Sequence, residues 1–509
     1  MEQAESSPLL DEWRDPDRGV RIAIEWLMPV RDVSEQYVSP PRSLRLLLTY
    51  VGRFGLSDAL LKVRSRLSER GRNRKAAALI QGLILEGPAG KDFEPGTRVW
   101  AFVPSVAPDA GRVVVDAAFV IPADEKAPCP QVAPDLPPSL AAYVAWSPFS
   151  GRPVDELAVK AALRDLCPRP GPGASNPAAI EARSGVAVER WSPSGATPSG
   201  RPTAVIFGMG NYAKQLIVPN IPRGLDLVRV HELDPRQIAG WGRRNVGLDT
   251  APWPRSEDNY DLWFVAGYHC THAALALEGL RRGGAVAVEK PLATTRAELE
   301  ELRAALSANP MNRLFSCFQR RYAEYNAWIR EDLEAGPGAP LNYDCIVYEI
   351  PLSPLHWYSW PSSRSRLISN GCHWIDHFML LNDYAEVTAS HVVAGAHNGS
   401  LAYLRLANGA EFTMRLTESG SPRIGVRDHV EVSSGSRTAT IRNAQFYSAE
   451  DSMKTLRRRK VRVMAAYQTM YREICRRVLE GGAGDSIESL RSTQASIELD
   501  EAFAAQLRG

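Results

Sequence analysis

The sequence predicts an α/β module with a parallel sheet, followed by an open-faced, mainly antiparallel α+β sheet domain and preceded by a small β-rich domain. Three observations carry this. From Thr203 onward, short apolar strands alternate with helical stretches, the pattern of a parallel sheet covered by helices on both faces. The first of those strands, Ala204-Val-Ile-Phe207, runs into Gly208-Met-Gly-Asn-Tyr-Ala213, a glycine-rich turn that opens a helix. After about residue 340 the period shortens to two, and Asn408-Gly409 interrupts an alternating run as a hairpin turn does.

With 509 residues the chain is too long for one core, and domains of roughly 150 residues suggest about three. The first forty residues are mixed and read as a poorly ordered or wrapping arm. Residues 42 to 82 have helical spacing, chiefly at 43–51 and 56–67. Apolar runs between Gly/Pro turns at 83–90, 97–103 and 112–121 predict short strands, which with the arm make a β domain over 1–135. Segment 136–200 holds helix candidates at 136–146 and 154–166, then a Pro/Gly/Ser-rich linker at 168–175 and 192–200. A dinucleotide-binding domain is expected over 201–325. Its strands are placed at 204–207, 227–231, 262–266 and 285–288, with helices at 212–218 and 272–282. Residues 326–509 complete the chain with hairpins at 403–416 and 430–441 and a closing helix at 464–479.

The glycine turn carries the first piece of chemistry. Gly208 permits the tight turn and Gly210 lets backbone approach a pyrophosphate at the helix start, beside Asn211 and Tyr212. Glu232 stands 24 residues past Gly208 at the end of the next strand. A carboxylate there accepts from a ribose 2′-hydroxyl and repels a 2′-phosphate, so NAD(H) is expected over NADP(H). Ala266, His269 and His272, where a strand passes into a helix, are placed on the cofactor side with Glu289, although capping is an equal use for the histidines.

The second piece is Val288-Glu-Lys-Pro-Leu292. A lysine at a strand end, partly desolvated beside a positive nicotinamide, would have a lowered pKa suited to proton exchange with a substrate oxygen. The third is Ile368 to Phe378, where His373 and Asp376 share a helix face at three-residue spacing. Read as a metal site they lack a third ligand. His373 is read as a general acid/base or polarising donor, with Asp376 orienting it. Arg320, Arg321, His356 and Trp357 precede this segment, and cationic plus aromatic groups suit an anionic or glycosyl substrate; Asn370 and Asp376 are grouped with them.

Composition excludes several classes. A net charge of +2 gives no reason to expect nucleic acid, and no apolar run approaches the roughly 18 to 20 residues of a membrane span. The run Arg457 to Lys460 is read as a solvated loop or helix edge. Seven scattered cysteines without a CxxC pair, and an acidic polar start unlike a signal peptide, fit a cytoplasmic protein. Residues 1–130 contain one cysteine, Cys129, and no histidine, so no catalytic zinc is expected there.

The motifs GMGNYA, AGYHCTH, VEKPL and NGCHWIDHF, in this order, resemble the Gfo/Idh/MocA oxidoreductases over roughly 203–509. Gln319-Arg-Arg-Tyr322, Pro351-Leu-Ser-Pro-Leu-His-Trp357, Cys372-His-Trp-Ile-Asp376 and Glu488-Ser-Leu-Arg-Ser-Thr-Gln-Ala495 look most like its bi-domain members. In those, such a module follows a half similar to medium-chain dehydrogenases. Gly87 to Val99 resembles the turn and strand of that half's GroES-like domain. The resemblance implies that Lys290 and His373 are catalytic and that the C-terminal sheet makes a homo-oligomer. The chain departs from the pattern by lacking the second nucleotide-binding domain, and by placing Ser369 where an aspartate usually precedes the histidine. The expected function is NAD(H)-dependent hydride transfer on a sugar, sugar nucleotide or imine. A cofactor-binding scaffold with little turnover is the alternative.

Overall fold

The computed structural model describes residues 19–29, 76–87, 94–106, 112–116, 120–122, 200–232, 246–249, 254, 258–352, 358, 363–395, 399–420 and 425–508. The helices expected at 43–51, 56–67, 136–146 and 154–166, the linker, and His356 and Trp357 lie outside them. The chain divides into two compact units, one of 1–39, 63–214 and 226–259, the other of 40–62, 215–225 and 260–509.

The first unit contains a five-stranded antiparallel sheet of β1 (Gly19–Pro29), β2 (Ala76–Glu86), β3 (Arg98–Val106), β4 (Arg112–Asp116) and β5 (Val120–Pro122), in the order β4-β1-β2-β3-β5. Two expectations change here. Part of the supposed arm is a central strand, because Val20 and Ile22, both fully buried, alternate with Arg21 and Ala23 while β1 pairs on both edges. The helical reading also runs too far, since 76–82 belongs to β2. Its alanines favour helix locally, but pairing with β1 and β3 on both sides overrides that propensity. Gly82 permits the approach, for a Cβ there would lie 2.1 Å from the Ala23 carbonyl oxygen.

The same unit holds three parallel strands, β6 (Thr203–Phe207) and β7 (Asp226–His231), where the alternating pattern predicts them, and β8 (Gly247–Asp249), which it does not predict. The second unit holds three more, β9 (Leu262–Val265), β10 (Ala285–Glu289) and β11 (Leu314–Cys317), with β10 between the others. Every residue of these three is buried, which is why they read as continuous apolar runs. Helices α1 (His272–Arg281) and α2 (Arg296–Ala308) follow β9 and β10. Thr295 and Glu298 form a capping box at the start of α2. Gly279 lets α1 close on the sheet, since a Cβ there would meet Val286 at 2.7 Å.

The rest of the second unit is an eight-stranded sheet in the order β13-β14-β15-β12-β16-β17-β18-β19. Its strands are β12 (Asn342–Tyr348), β13 (Val387–Ala394), β14 (Ser400–Leu406), β15 (Glu411–Thr417), β16 (Arg427–Ser434), β17 (Arg437–Arg442), β18 (Phe446–Glu450) and β19 (Thr455–Lys460). All neighbours are antiparallel except β12 and β15. Both hairpins form where expected, with Gly409 and Gly435 at positive φ in the turns. Tyr343, Val347, Phe412, Met414, Val430 and Val432 point to one face. They share a core with Trp374, Ile375 and Phe378 of α4 (Cys372–Leu381) and Leu499 and Phe503 of α6 (Leu490–Arg508). Helix α3 (Tyr325–Asp332) precedes β12, and α5 (Val463–Leu479) follows β19. The opposite face presents Asn342, Asp344, Arg405, Glu411, Arg415 and Glu431, with Ile346 and Leu401 among them.

Two more readings are corrected here. The basic run Arg457 to Lys460 is an edge strand, β19, rather than a loop or helix edge; Arg457 binds Asp332 and Glu331. Positive charge suits an edge, where it discourages pairing with other chains. The last described helix is α6, not 464–479. Its polar Ser/Thr/Gln positions hide an apolar stripe that α4 and the sheet complete.

Candidate active site

In the first unit the glycine turn has the geometry a dinucleotide needs. Gly208 lies at φ +95°, and its N–H donates to the His231 carbonyl at 2.8 Å, which ties the turn to the end of β7. The Met209 N–H donates to Glu232 Oε2. Glu232 therefore sits directly beside the turn, and it is buried. A Cβ on Gly210 would meet nothing within 4 Å, so backbone here is open to a ligand. Asn211 is exposed and Tyr212 half-buried at the start of the next helical turn.

In the second unit Lys290 directly follows β10, and the Lys290–Pro291 peptide bond is cis. Nζ donates to the Ser369 carbonyl at 2.8 Å and to the Tyr358 hydroxyl at 3.2 Å. The Tyr358 ring centre lies 5.6 Å away. Burial pulls the Lys290 pKa down, but Tyr358, Cys372 and Glu289 outweigh it and the net direction is upward. The expected lowering is thus reversed, and Lys290 is a cation at neutral pH. Neither Tyr358 nor a backbone carbonyl was foreseen. Tyr358 adjoins the Pro351–Trp357 motif in sequence, whereas a carbonyl carries no sequence signal.

His373 lies on α4, edge-on to Phe318 and Trp374 with ring centroids 6.1 Å from each. Its Nδ1 has no hydrogen-bond partner among the described residues. Burial, then Lys290 and Arg320, hold its pKa well below 6.5, so the imidazole is neutral at neutral pH. His377, next on the helix, is saturated by the Tyr343 hydroxyl at 3.0 Å and Asn326 Oδ1 at 2.9 Å.

Other expected site residues hold structural partners. Arg321 Nε and Nη2 grip both oxygens of Asp376, and Nη1 reaches Asp485 at 2.9 Å. Asp376 also accepts from Ser492 at 2.8 Å. His272 places Nδ1 2.7 Å from the Pro291 carbonyl and Nε2 3.1 Å from that of Gly267. His269 packs against Tyr358 at 5.2 Å, and Ala266 follows β9, half-buried. Glu289 accepts from Tyr471 of α5. Asn370 donates to the buried Glu349. Arg320 pairs with Asp428. Among the described residues no group of three or more His, Cys, Asp or Glu is placed to hold a metal ion, and no helix is long and apolar enough to cross a membrane.

The buried histidines give a stability prediction. Burial lowers His272 to about 4 despite its carbonyl partners, and it lowers His373 and His377 well below their ordinary value. Groups kept neutral in the fold gain protons on unfolding. Stability is therefore fully present above roughly pH 6.5 and falls as pH drops toward the folded values. Urea midpoints are expected to be lower at pH 5 than at pH 7, with His272→Gln losing part of that difference. An equal pH difference in the variant would count against this account of His272.

Residues 203–312 match the model of the Gfo/Idh/MocA family, described as an oxidoreductase family with an NAD-binding Rossmann fold. No curated protein sequence matches the chain. A dehydrogenase from Chromobacterium violaceum is similar in fold, with a TM-score of 0.50 and 16% identity, over 60% of this chain and 96% of that one. A 3-ketoreductase from Actinomadura kijaniata, solved in complex with NADP, aligns with a TM-score of 0.48 and 15% identity, over 59% and 97%. An oxidoreductase domain protein from Kribbella flavida gives 0.48 and 14%, over 60% and 97%. On the family match, the chain is an oxidoreductase with a domain for NAD(H).

Proposed function

We propose that this oxidoreductase passes a hydride between NAD(H) and a sugar, sugar nucleotide or imine-type intermediate, with Lys290 moving the proton and His373 polarising the reacting oxygen or nitrogen. The observation that carries the reading is Lys290, a cation aimed by the Ser369 carbonyl and Tyr358 at the end of a buried strand. The bound nicotinamide would supply or accept the hydride. Lys290 gives its proton to the reduced oxygen or nitrogen, and the reverse reaction returns it. A neutral His373 keeps no proton from the substrate and serves as a hydrogen-bond partner to the reacting atom. Tyr358 and the Ser369 carbonyl fix where Nζ points, so the proton is delivered along one line.

The NAD(H) preference is argued from Glu232, whose carboxylate is anchored at the turn by Met209 N–H. A 2′-phosphate there would meet a buried negative charge. Calorimetry is expected to show tighter binding of NAD(H) than NADP(H), with Glu232→Ala narrowing the gap by roughly tenfold, the worth of about one charged hydrogen bond. Equal affinities in the unaltered protein would remove Glu232 as the selector.

The domain reading keeps 201–325 for the dinucleotide and 326–509 for substrate and oligomer contacts, with a cytoplasmic location. The five-stranded antiparallel sheet is read as a remnant of a GroES-like domain. The exposed face of the eight-stranded sheet, on which polar residues predominate, is read as the homo-oligomer contact.

A further inference from the structure

The Lys290 and His373 site includes a buried arginine whose hydrogen bonding is unfinished. Arg320 is 6% exposed, and its guanidinium lies 4.7 Å from the centre of the Trp374 ring. Nη2 donates to Asp428 Oδ2, which also accepts from Trp374 Nε1 at 3.0 Å. The Tyr325 hydroxyl also lies against the guanidinium, while Nε and Nη1 have no hydrogen-bond partner among the described residues. The neighbouring His373 leaves Nδ1 in the same condition, and Ser369 leaves its hydroxyl so; both residues are buried.

Buried polar groups in folded proteins are nearly always paired, and a guanidinium demands more partners than any other side chain. Arg303 and Arg427 also leave Nε unmatched, but both are only half-buried, so water reaches their other nitrogens. Arg321 makes the contrast sharper. One position along the chain, it donates through all three nitrogens. The unmatched donors of Arg320 are therefore particular to it. Asp428 is the charged group that acts on Arg320 itself, while His373 beside it feels two cations, Lys290 and Arg320.

We propose that the substrate carries an oxyanion, a carboxylate or a phosphate, which Arg320 receives through Nε and Nη1 while Lys290 serves the reacting atom. The Ser369 hydroxyl and His373 Nδ1 meet neighbouring polar atoms of the same molecule. The inference rests on the hydride-transfer reading for where the substrate sits, and on the arginine for its charge. It selects acidic or phosphorylated sugars, sugar nucleotides and imino acids from the substrates considered, and sets neutral ones aside.

The test is calorimetric titration of the full chain, saturated with NADH and held at constant ionic strength, with acetate, inorganic phosphate and the neutral isostere acetamide. NADH fills the glycine turn, so phosphate binding there does not confuse the reading. One oxyanion per chain is expected, bound at least roughly tenfold more tightly than acetamide, as suits a charge-assisted hydrogen bond. A preference for acetate points to a carboxylate-bearing substrate, and one for phosphate to a phosphorylated one. Arg320→Lys keeps a cation against Asp428 but lacks the planar fork that presents Nε and Nη1 together, and should lose that tenfold. If it does not fold, Arg320→Gln with Asp428→Asn removes both charges and tests the same loss. Equal binding of acetate and acetamide, no oxyanion binding, or wild-type affinity in the folded variant overturns the proposal. Failure to bind NADH would count against the dinucleotide reading alone, since the Arg320 comparison can be repeated without it.

Discussion

Lys290→Ala is expected to lower turnover by roughly 10²-fold or more while leaving NADH affinity within a few-fold, the usual size of a lost general acid or base. The geometry separates the two effects. Lys290 is held by Ser369 and Tyr358, both within its own unit and neither part of the glycine turn. On the proposed reading its loss removes the proton-transfer group and leaves Gly208, Gly210 and Glu232 in place. The raised pKa adds a pH signature in the reductive direction. A group protonated well past neutrality stays an acid through the physiological range, and its contribution is lost only as pH climbs above the usual lysine value. Lys290→Arg retains a cation but not a transferable proton, and should also be slow. Turnover within a few-fold of the unaltered protein in both variants would remove Lys290 from the proton path.

Arg321→Met is expected to cost stability rather than catalysis, by roughly 3 to 5 kcal/mol, the usual result of breaking one side of a buried ion pair. The Asp376 side chain is fully buried and that of Arg321 is 8% exposed. Removing the guanidinium leaves Asp376 with Ser492 as its remaining side-chain partner, and Asp485 loses a contact as well. Urea unfolding should show the loss directly, with kcat/KM of the folded fraction little changed. A variant of normal stability with a collapsed kcat/KM would restore Arg321 as a substrate contact.

These two arginines show where the sequence stopped being readable. Arg320 and Arg321 are adjacent and identical, so nothing local tells them apart. Their roles come from Asp428, 108 positions away, and Asp376, 55 positions away, which the fold brings to them. Side chains with local signals were easier. The glycine turn, the Glu232 strand end and the Asn408-Gly409 hairpin all follow from backbone chemistry that a few residues specify. Strand β1 was missed although Val20 and Ile22 alternate with Arg21, because eleven residues in a mixed stretch do not reveal partners sixty and ninety positions on. Strand β19 was missed for the opposite reason: consecutive positive charges mask an edge position that tolerates them. The second hold on Lys290 comes from a backbone carbonyl, which any residue at 369 would supply.

The account is tested most directly by mixing the protein with NADH and a panel of acidic and neutral keto sugars, keto sugar nucleotides and imines, and following the near-ultraviolet absorbance of the reduced nicotinamide. It predicts oxidation of NADH with at least one acidic member, abolished in Lys290→Ala while that variant still binds NADH. Tight NADH binding with no absorbance change across the whole panel would contradict it, and would favour a cofactor-binding scaffold with little turnover.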